Sequence, residues 1–480
     1  MDLRFLLILA GGAAALWAFA RWRLAVQAVL VLLIVEGAIR KWVMPGAQDL
    51  VYLAKDVLLL AAYLGFWTQR HRLRDRSAHA PALWLALSLC AVFGLAQAFN
   101  PRLPNIFVGL LGLKAYFWYV PLLVVLPAVF PSDVALYRFL RRYVLLAVPV
   151  GLLASTQFLS PSSSALNAYA RSAQETGYVS TFGTSTHVRV TGTFSYITGY
   201  SSYLLVTAVL LLTILAFQRW RWRGQLTLYA ALAMTLLGML MTGSRGPVFL
   251  LLLLFPIYWL LAVARERGRA GAISRQVLVL GLLAVVLGYA APGAFQAFRS
   301  RATGGSDVPA RLAAPFVAPL EVMDEAGPLG YGIGATHQGA MAVVKNTLPY
   351  SWLRGNAVEA ESGRVMLELG PVGFVLVYFV RLYLVVFAFG QALSLRTRFH
   401  RTLATAAFLT FLAQVPGAVV FDPTMNVYYW FLGGLLMTAM KLDRAVAPAA
   451  TGAAVAIAPP LVGRSLPAPS PAQSPAWQRP

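Results

Sequence analysis

A single arginine joins two apolar runs in the stretch MLMTGSRGPVFLLLL, residues 239–253. Gly246 and Pro247 follow Arg245, and proline suits the first turn of a helix, where its missing N–H costs nothing. Such a turn points free N–H groups and the positive end of the helix dipole toward the joint. Arg245 beside it would form a compact oxyanion site. The alternative is a helix-end arginine that reaches lipid headgroups.

The composition requires lipid around most of the chain. Hydrophobic residues make up 59% of the 480 residues and charged residues only 12%, whereas soluble proteins carry about 25% charged residues. A helix of about 20 residues crosses a bilayer. We therefore predict an all-α polytopic membrane protein with about thirteen transmembrane helices, near 5–20, 24–39, 51–68, 82–99, 106–130, 139–159, 194–217, 225–242, 246–264, 276–291, 366–390, 402–420 and 426–440.

The placement of the positive charges predicts the topology. The net charge is +22, but the arginines cluster in short loops between alternate apolar runs. This pattern is typical of cytoplasmic loops that face anionic lipid rather than of nucleic-acid binding. It predicts a membrane protein with its amino terminus outside and its carboxyl terminus inside, in the cytoplasm.

The predicted transmembrane domain covers residues 1–441, with long loops on the outer side at about 160–193 and 292–363, which the resemblance described below makes periplasmic. Residues 442–480 are rich in alanine and proline and are predicted to form a disordered cytoplasmic tail. Within span 106–130, Lys114 and Pro121 predict a broken or re-entrant helix. The only cysteine, Cys90, allows neither a disulfide within the chain nor a cysteine metal cluster.

Some charges fall inside or beside apolar runs. Glu36, Lys55 and Asp56 are of this kind, and such charges pair for structure or line a cavity. Because Lys55 and Asp56 are adjacent, we expect them to find different partners. We interpret the three residues as structural.

Four motifs carry a resemblance to a known family. They are THVRVTGTFSYITGYSSYL (186–204), MTGSRGPVF (241–249), GPLGYGIGAT (327–336) and ESGRVMLELGPVGFVLVYF (361–379). In order and spacing they resemble the O-antigen ligase and O-antigen polymerase family of bacterial membrane glycosyltransferases, over about residues 105–440. EGAIRKWVMP (36–45) and VYLAKDVLLL (51–60) resemble a subgroup hallmark to which we assign no role at this stage.

The resemblance implies a GT-C-like fold and a glycan donor carried on undecaprenyl diphosphate. The glycan would pass to a hydroxyl of a glycan or lipid acceptor at the periplasmic face, in O-antigen or exopolysaccharide synthesis. Polysaccharide-assembly proteins would be further partners. No nucleotide sugar, cofactor or metal is implied. The sequence agrees, since it has no DxD pair in an exposed loop and no His/carboxylate cluster at metal-ligand spacing.

The resemblance also directs the choice of site residues, because a departing diphosphate must be neutralised by cations or helix N-termini. The expected diphosphate ligands are Arg189 and Arg245, with Arg364 and Lys114 as second choices. The expected sugar contacts are Tyr196 and Tyr200.

For the general base we expect Glu361, then Glu359. The alternative is that these glutamates only balance the dipole at a helix start. Ligases of this family often carry a histidine just ahead of the late helix, where this chain has glutamates. His337 lies earlier, does not align with it, and is interpreted as a loop histidine. This difference favours polymerisation over ligation.

A flippase or transporter for the same lipid-linked sugar is the alternative from another class. Such a protein should carry charges along a route between both faces, and often repeated halves. The polar motifs here gather at one face, which favours one-sided chemistry.

Overall fold

Helices form the regular structure of the chain. A computed structural model describes residues 3–69, 80–170, 179–182, 186–217, 222–265, 270–303, 308–340 and 358–452, and these residues contain no β-strand. Their α-helices are, in chain order, α1 Leu3–Ala20, α2 Trp22–Ala38, α3 Gln48–Gln69, α4 Pro81–Gln97, α5 Ile106–Phe117, α6 Leu122–Val129, α7 Asp133–Leu145, α8 Ala147–Leu159, α9 Ile197–Phe217, α10 Trp222–Thr242, α11 Arg245–Arg265, α12 Ala270–Ala290, α13 Pro292–Thr303, α14 Val308–Glu321, α15 Met323–Ala326, α16 Glu361–Ser394, α17 Arg398–Ala413 and α18 Pro423–Gly452.

Several of these helices can cross a membrane. Six in the described part of the chain are long and apolar enough, and two bent pairs raise the number to eight. The prediction of an all-helical, multi-pass membrane protein is thereby confirmed. Each of the thirteen predicted spans coincides with a helix or a pair of consecutive helices, but thirteen crossings stay a prediction.

Two predicted irregularities can be compared with the observed helices. Span 106–130 is broken as expected, with α5 and α6 bent by 46° on either side of residues 118–121. The last helix, α18, continues to Gly452, so the first residues of the predicted tail are helical. The rest of that tail, residues 453–480, lies outside the described residues.

Helix α9 forms the centre of the bundle. Within its apolar stretch, Ile197–Ala216, 94% of the residues are buried. The helix packs against α10, α17 and α18. A helix that is apolar all round belongs in the interior of a large bundle. The polar residues that could do chemistry must therefore gather where the helices end.

One end of the bundle is fixed by a buried histidine. His400 lies with Nε2 2.7 Å from Asp133 and Nδ1 3.0 Å from Asp443. Burial opposes protonation, but the two carboxylates outweigh it and raise the pKa of His400. Asp443 also accepts the N–H of Thr397 at 2.9 Å. These residues belong to segments predicted to be cytoplasmic, and we call this end the inner end.

The opposite end, which we call the outer end, holds residues 39–47, 99–105, 188–196, 242–245 and 327–340. Here Lys41 Nζ donates to Thr191 Oγ1 at 3.0 Å, and Arg102 donates to the carbonyl of Ala326 at 2.9 Å. Each contact joins two segments that were predicted for the same face. The contacts at both ends thus agree with the predicted alternation of the loops.

Candidate functional site

Helix α16 breaks at Gly370, and the glycine-rich turn 327–336 packs against the break. Gly370 has φ +63° and ψ −176°, a conformation that is essentially restricted to glycine. The N–H of Gly332 donates to the carbonyl of Glu368 at 2.9 Å. A Cβ on Gly330 would lie only 2.5 Å from that carbonyl oxygen, so the turn can approach this closely only with glycine. Two of the four motifs therefore form one structural unit.

The carboxylate of Glu368 is fully buried inside this unit. Its Oε1 accepts the N–H and the hydroxyl of Thr336, both at 2.8 Å. Its Oε2 accepts the hydroxyl of Tyr116, from α5, at 3.0 Å. A buried carboxylate is costly unless it is hydrogen-bonded, so these bonds fix α5, α16 and the turn together. No role was predicted for Glu368 from the sequence, although a carboxylate inside an apolar helix is a signal of function.

Arg364 lies one helical turn before Glu368. Its planar guanidinium group is contacted along one edge by Thr336 and on one face by Phe421. Its Nε donates to Thr336 Oγ1 at 3.1 Å, and its Nη2 donates to the carbonyl of Thr336. The guanidinium carbon lies 3.6 Å from the ring centroid of Phe421. A half-buried guanidinium fixed in this way suits bidentate contact with a phosphate.

Lys114 reaches the same region from α5. Its Nζ lies 2.5 Å from Asp56 Oδ2, and its side chain is 21% exposed. Two residues before Lys114, Gly112 packs so closely on the glycine-rich turn that a Cβ there would lie 2.4 Å from the backbone nitrogen of Gly334. Arg364 is bonded to Thr336, and His337 is the next residue. These contacts place the two second-choice cations beside the turn that leads into His337, which was interpreted from the sequence as a loop histidine. We call Lys114, His337 and Arg364 the cation–histidine group.

His337 is neutral at physiological pH in these surroundings. Burial, and then the charges of Lys114 and Arg364, lower the pKa of His337 to about 4. The N–H of Gly339 donates to Nδ1 at 3.0 Å, so the proton of the neutral ring is on Nε2. Nε2 is therefore a hydrogen-bond donor, and the positive charges of Lys114 and Arg364 act on the same ring. Such a donor suits an anionic ligand.

Arg189 and Arg245 form a second group at the outer end. Arg189 Nη2 lies 3.4 Å from Ser244 Oγ, and Arg245 Nη2 donates to the carbonyl of Arg301. Arg301 also acts electrostatically on Arg189. The four predicted diphosphate ligands thus fall into two pairs, Arg189 with Arg245 and Lys114 with Arg364.

Glu361 is part of a buried ion pair. Arg381 Nη2 donates to its carboxylate, as do the backbone N–H groups of Val419 at 3.0 Å and Phe421 at 2.9 Å. The ion pair depends on the break at Gly370. Because the helix changes direction there, Glu361 before the break can contact Arg381 after it. The carboxylate of Glu361 is buried, and an arginine and two backbone N–H groups occupy its oxygens. The predicted role of Glu361 as general base does not fit this geometry.

The remaining predicted residues differ in their exposure. The Glu359 side chain is 79% exposed and lies 3.8 Å from Arg311. Tyr196 is 48% exposed and is open to stacking on a sugar. Tyr200 is fully buried and stacks on Phe194 in the core. The predicted sugar contact of Tyr200 is inconsistent with this burial.

No protein-family model matches the sequence, and a comparison with curated proteins finds no significant match. The resemblance therefore enters the functional proposal only through the motifs that carry it.

The break in α16 gives a prediction about stability. We expect Gly370→Ala to lower the thermal unfolding midpoint in detergent, since this conformation costs a non-glycine residue about 1–3 kcal/mol. Its Cβ would also lie 2.6 Å from the carbonyl oxygen of Pro328. Gly390→Ala, in the same helix, is the matched control because its Cβ would meet no atom within 4 Å. Equal midpoints for the two variants would contradict the role given to the break.

Proposed function

We propose that the protein transfers a glycan from undecaprenyl diphosphate to an acceptor hydroxyl, and that the outer end is its periplasmic face. The proposal includes a multi-pass, GT-C-like domain of thirteen spans in a bacterial inner membrane. Its amino terminus is periplasmic and its carboxyl terminus cytoplasmic. The acceptor is another glycan, as in polymerisation, or a lipid, as in ligation. The convergence of Lys114, His337 and Arg364 beside the glycine-rich turn is the observation that carries the proposal.

The reaction breaks the bond between the anomeric carbon and a phosphate oxygen and joins that carbon to the acceptor oxygen. The bonding electrons leave with the diphosphate, and the acceptor hydroxyl loses its proton. Negative charge therefore grows on the diphosphate in the transition state. Groups already oriented toward that charge accelerate the reaction. One cation–phosphate pair at about 4 Å contributes about 4 kcal/mol at an effective dielectric constant of about 20, before desolvation.

The cation–histidine group provides three different donors for such an anion. Arg364 offers a fixed planar edge, Lys114 a compact charge, and His337 an N–H from Nε2. Arg364 bonds to neutral oxygens of Thr336, and carboxylates offset its charge only through space. Arg189 and Arg245 remain diphosphate ligands in the proposal, as a second cationic group at the same end.

Glu359 remains the proton acceptor in the proposal, because Glu361 is neutralised by Arg381. The carboxylate of Glu359 is exposed, and its ion pair with Arg311 is long at 3.8 Å, so an acceptor hydroxyl can reach it. Glycosyl transfer passes through an oxocarbenium-like transition state. The acceptor hydroxyl can then lose its proton late, and a weak base is sufficient.

Transport of the lipid-linked sugar is the second candidate, and buried ion pairs are the observation that favours it. Glu36–Lys55, Asp56–Lys114 and Glu361–Arg381 are all charges inside the bundle. Asp56, however, lies only eight residues into α3 from the outer end, which is about 12 Å of helix. The Asp56–Lys114 pair therefore lies near the outer end, where the family-like motifs also gather.

A reconstituted assay tests the proposal. Purified protein in nanodiscs receives an undecaprenyl-diphosphate oligosaccharide, and new glycosidic bonds are counted by mass spectrometry. We expect Arg364→Ala and Lys114→Ala each to slow transfer about tenfold to a hundredfold, as the loss of one oriented donor does. Arg189→Ala and Arg245→Ala test the second group in the same way.

Arg299→Ala changes an exposed arginine of α13 and is the matched control. It should transfer at the wild-type rate. Wild-type rates in both Arg364→Ala and Lys114→Ala would contradict the assignment of the site. Translocation of the donor in proteoliposomes without any new glycosidic bond would make the protein a transporter.

His337 gives a pH dependence with a defined sign. A protonated His337 binds the anion better, so the bound diphosphate must raise the pKa of His337 above its free value of about 4. The KM for the lipid-linked donor should therefore fall as the pH is lowered below the pKa of His337 in the complex, and level off below the free pKa of about 4. The donor diester keeps both charges over this range. His337→Asn keeps an N–H donor but cannot titrate, and its KM should be flat. A wild-type KM that does not change with pH would refute the assignment of His337.

A further inference from the structure

Five charged side chains surround Tyr52 near the outer end of the bundle. They come from the two early segments EGAIRKWVMP and VYLAKDVLLL, and from α5. Three cations lie over the Tyr52 ring, with their charged atoms 3.9, 4.8 and 5.1 Å from its centroid, and these are Lys55, Lys114 and Arg40. Two carboxylates, Glu36 and Asp56, hold these cations together. We call this arrangement the Tyr52 charge cluster.

One branch of the Tyr52 charge cluster ends at Lys114. Asp56 forms an ion pair with Lys114 through Oδ2 at 2.5 Å and accepts a hydrogen bond from the hydroxyl of Tyr119 through Oδ1 at 2.7 Å. Both oxygens of Asp56 are thereby engaged, and its position is fixed from two sides. Asp56 is 3% exposed, so the strength of its bond to Lys114 is little reduced by water.

The other branch ends at the turn before α9. Glu36 lies 2.9 Å from Lys55 and 3.7 Å from Arg40. Arg40 in turn donates to Ser195 Oγ at 2.9 Å. The prediction that Lys55 and Asp56 find different partners is therefore confirmed. The cluster links the turn that follows Arg189 to the α5 lysine of the cation–histidine group.

Packing alone does not account for the Asp56–Lys114 pair. Apolar residues of similar volume usually stabilise a buried position as well as an ion pair does. Lys55 is completely enclosed, at 2% exposure of its side chain, whereas Lys114 keeps 21%. Among the three cations of the cluster, Lys114 therefore has the most exposed side chain, since that of Arg40 is 15% exposed.

We propose that Asp56 is a positioning residue, which holds the ammonium of Lys114 toward the anionic diphosphate, while Glu36, Lys55 and Arg40 anchor Asp56's helix to the 191–195 turn. This gives the two early segments a function. The identity of the anion rests on the proposed function. The geometry of Lys114 does not, and it can be measured without any glycosyl transfer.

The test uses the full-length protein in nanodiscs and an amine-reactive reagent, with labelling of each lysine followed by peptide mass spectrometry. Asp56→Asn keeps the shape and an acceptor for Tyr119 but removes the charge that holds Lys114. We expect the labelling rate of Lys114 to rise several-fold, while the enclosed Lys55 stays unlabelled as the internal control for folding. Tyr119→Phe loosens Asp56 from its other side and should raise Lys114 labelling less. It serves as the second variant if Asp56→Asn does not fold.

Protection by undecaprenyl diphosphate in the nanodisc gives the second measurement. In the wild type this probe should slow the labelling of Lys114. In Asp56→Asn the concentration for half protection should rise on the order of tenfold, and kcat should fall as well, because Lys114 no longer faces the charge that grows in the transition state. Unchanged labelling and protection in both variants would overturn the proposal. Protection of Lys114 that depends on Asp56, without glycosyl transfer by the wild type, would uphold the positioning role and refute the proposed function.

Discussion

Burial of a carboxylate in a helical bundle is tolerated only when its oxygens find donors, and the outer end is organised by how Glu368 meets this requirement. Thr336 supplies two donors from the glycine-rich turn and Tyr116 supplies one from α5. These bonds require the turn to lie against α16, and the close approach in turn requires the reversal at Gly370. Arg364 is then fixed through the same threonine. The site therefore depends on the buried carboxylate of Glu368, which holds α5, α16 and the glycine-rich turn together.

The charged side chains at the outer end differ in how fully an opposite charge neutralises them. This difference decides which of them can bind an anion. Glu361 and Arg381 neutralise each other in the interior. Lys114 is held by Asp56 but is partly exposed, and Arg364 hydrogen-bonds to neutral oxygens. Charge interactions are stronger here than in water, because the bundle excludes solvent. A region with partly compensated cations and an N–H donor favours an anion that arrives from the membrane surface.

Local patterns in the sequence predict the helices, because an apolar run of membrane length specifies its own backbone. They also predict the break after α5 and the gathering of the polar motifs at one end. The pairing of Glu361 with Arg381 was not predictable from the sequence. It depends on the change of direction at Gly370, which brings the two parts of α16 into contact. His337 was set aside for the same reason: its closeness to Lys114 comes from the docking of the glycine-rich turn. Exposure is likewise set by packing, which explains why Tyr200 is in the core.

The most direct test is a cryo-electron microscopy map of the protein in nanodiscs with an undecaprenyl-diphosphate oligosaccharide bound. We predict diphosphate density in contact with Lys114 Nζ, Arg364 and His337 Nε2, with the sugar extending toward the outer end. Diphosphate density elsewhere on the protein, with these three side chains in contact only with protein atoms, would contradict the central claim.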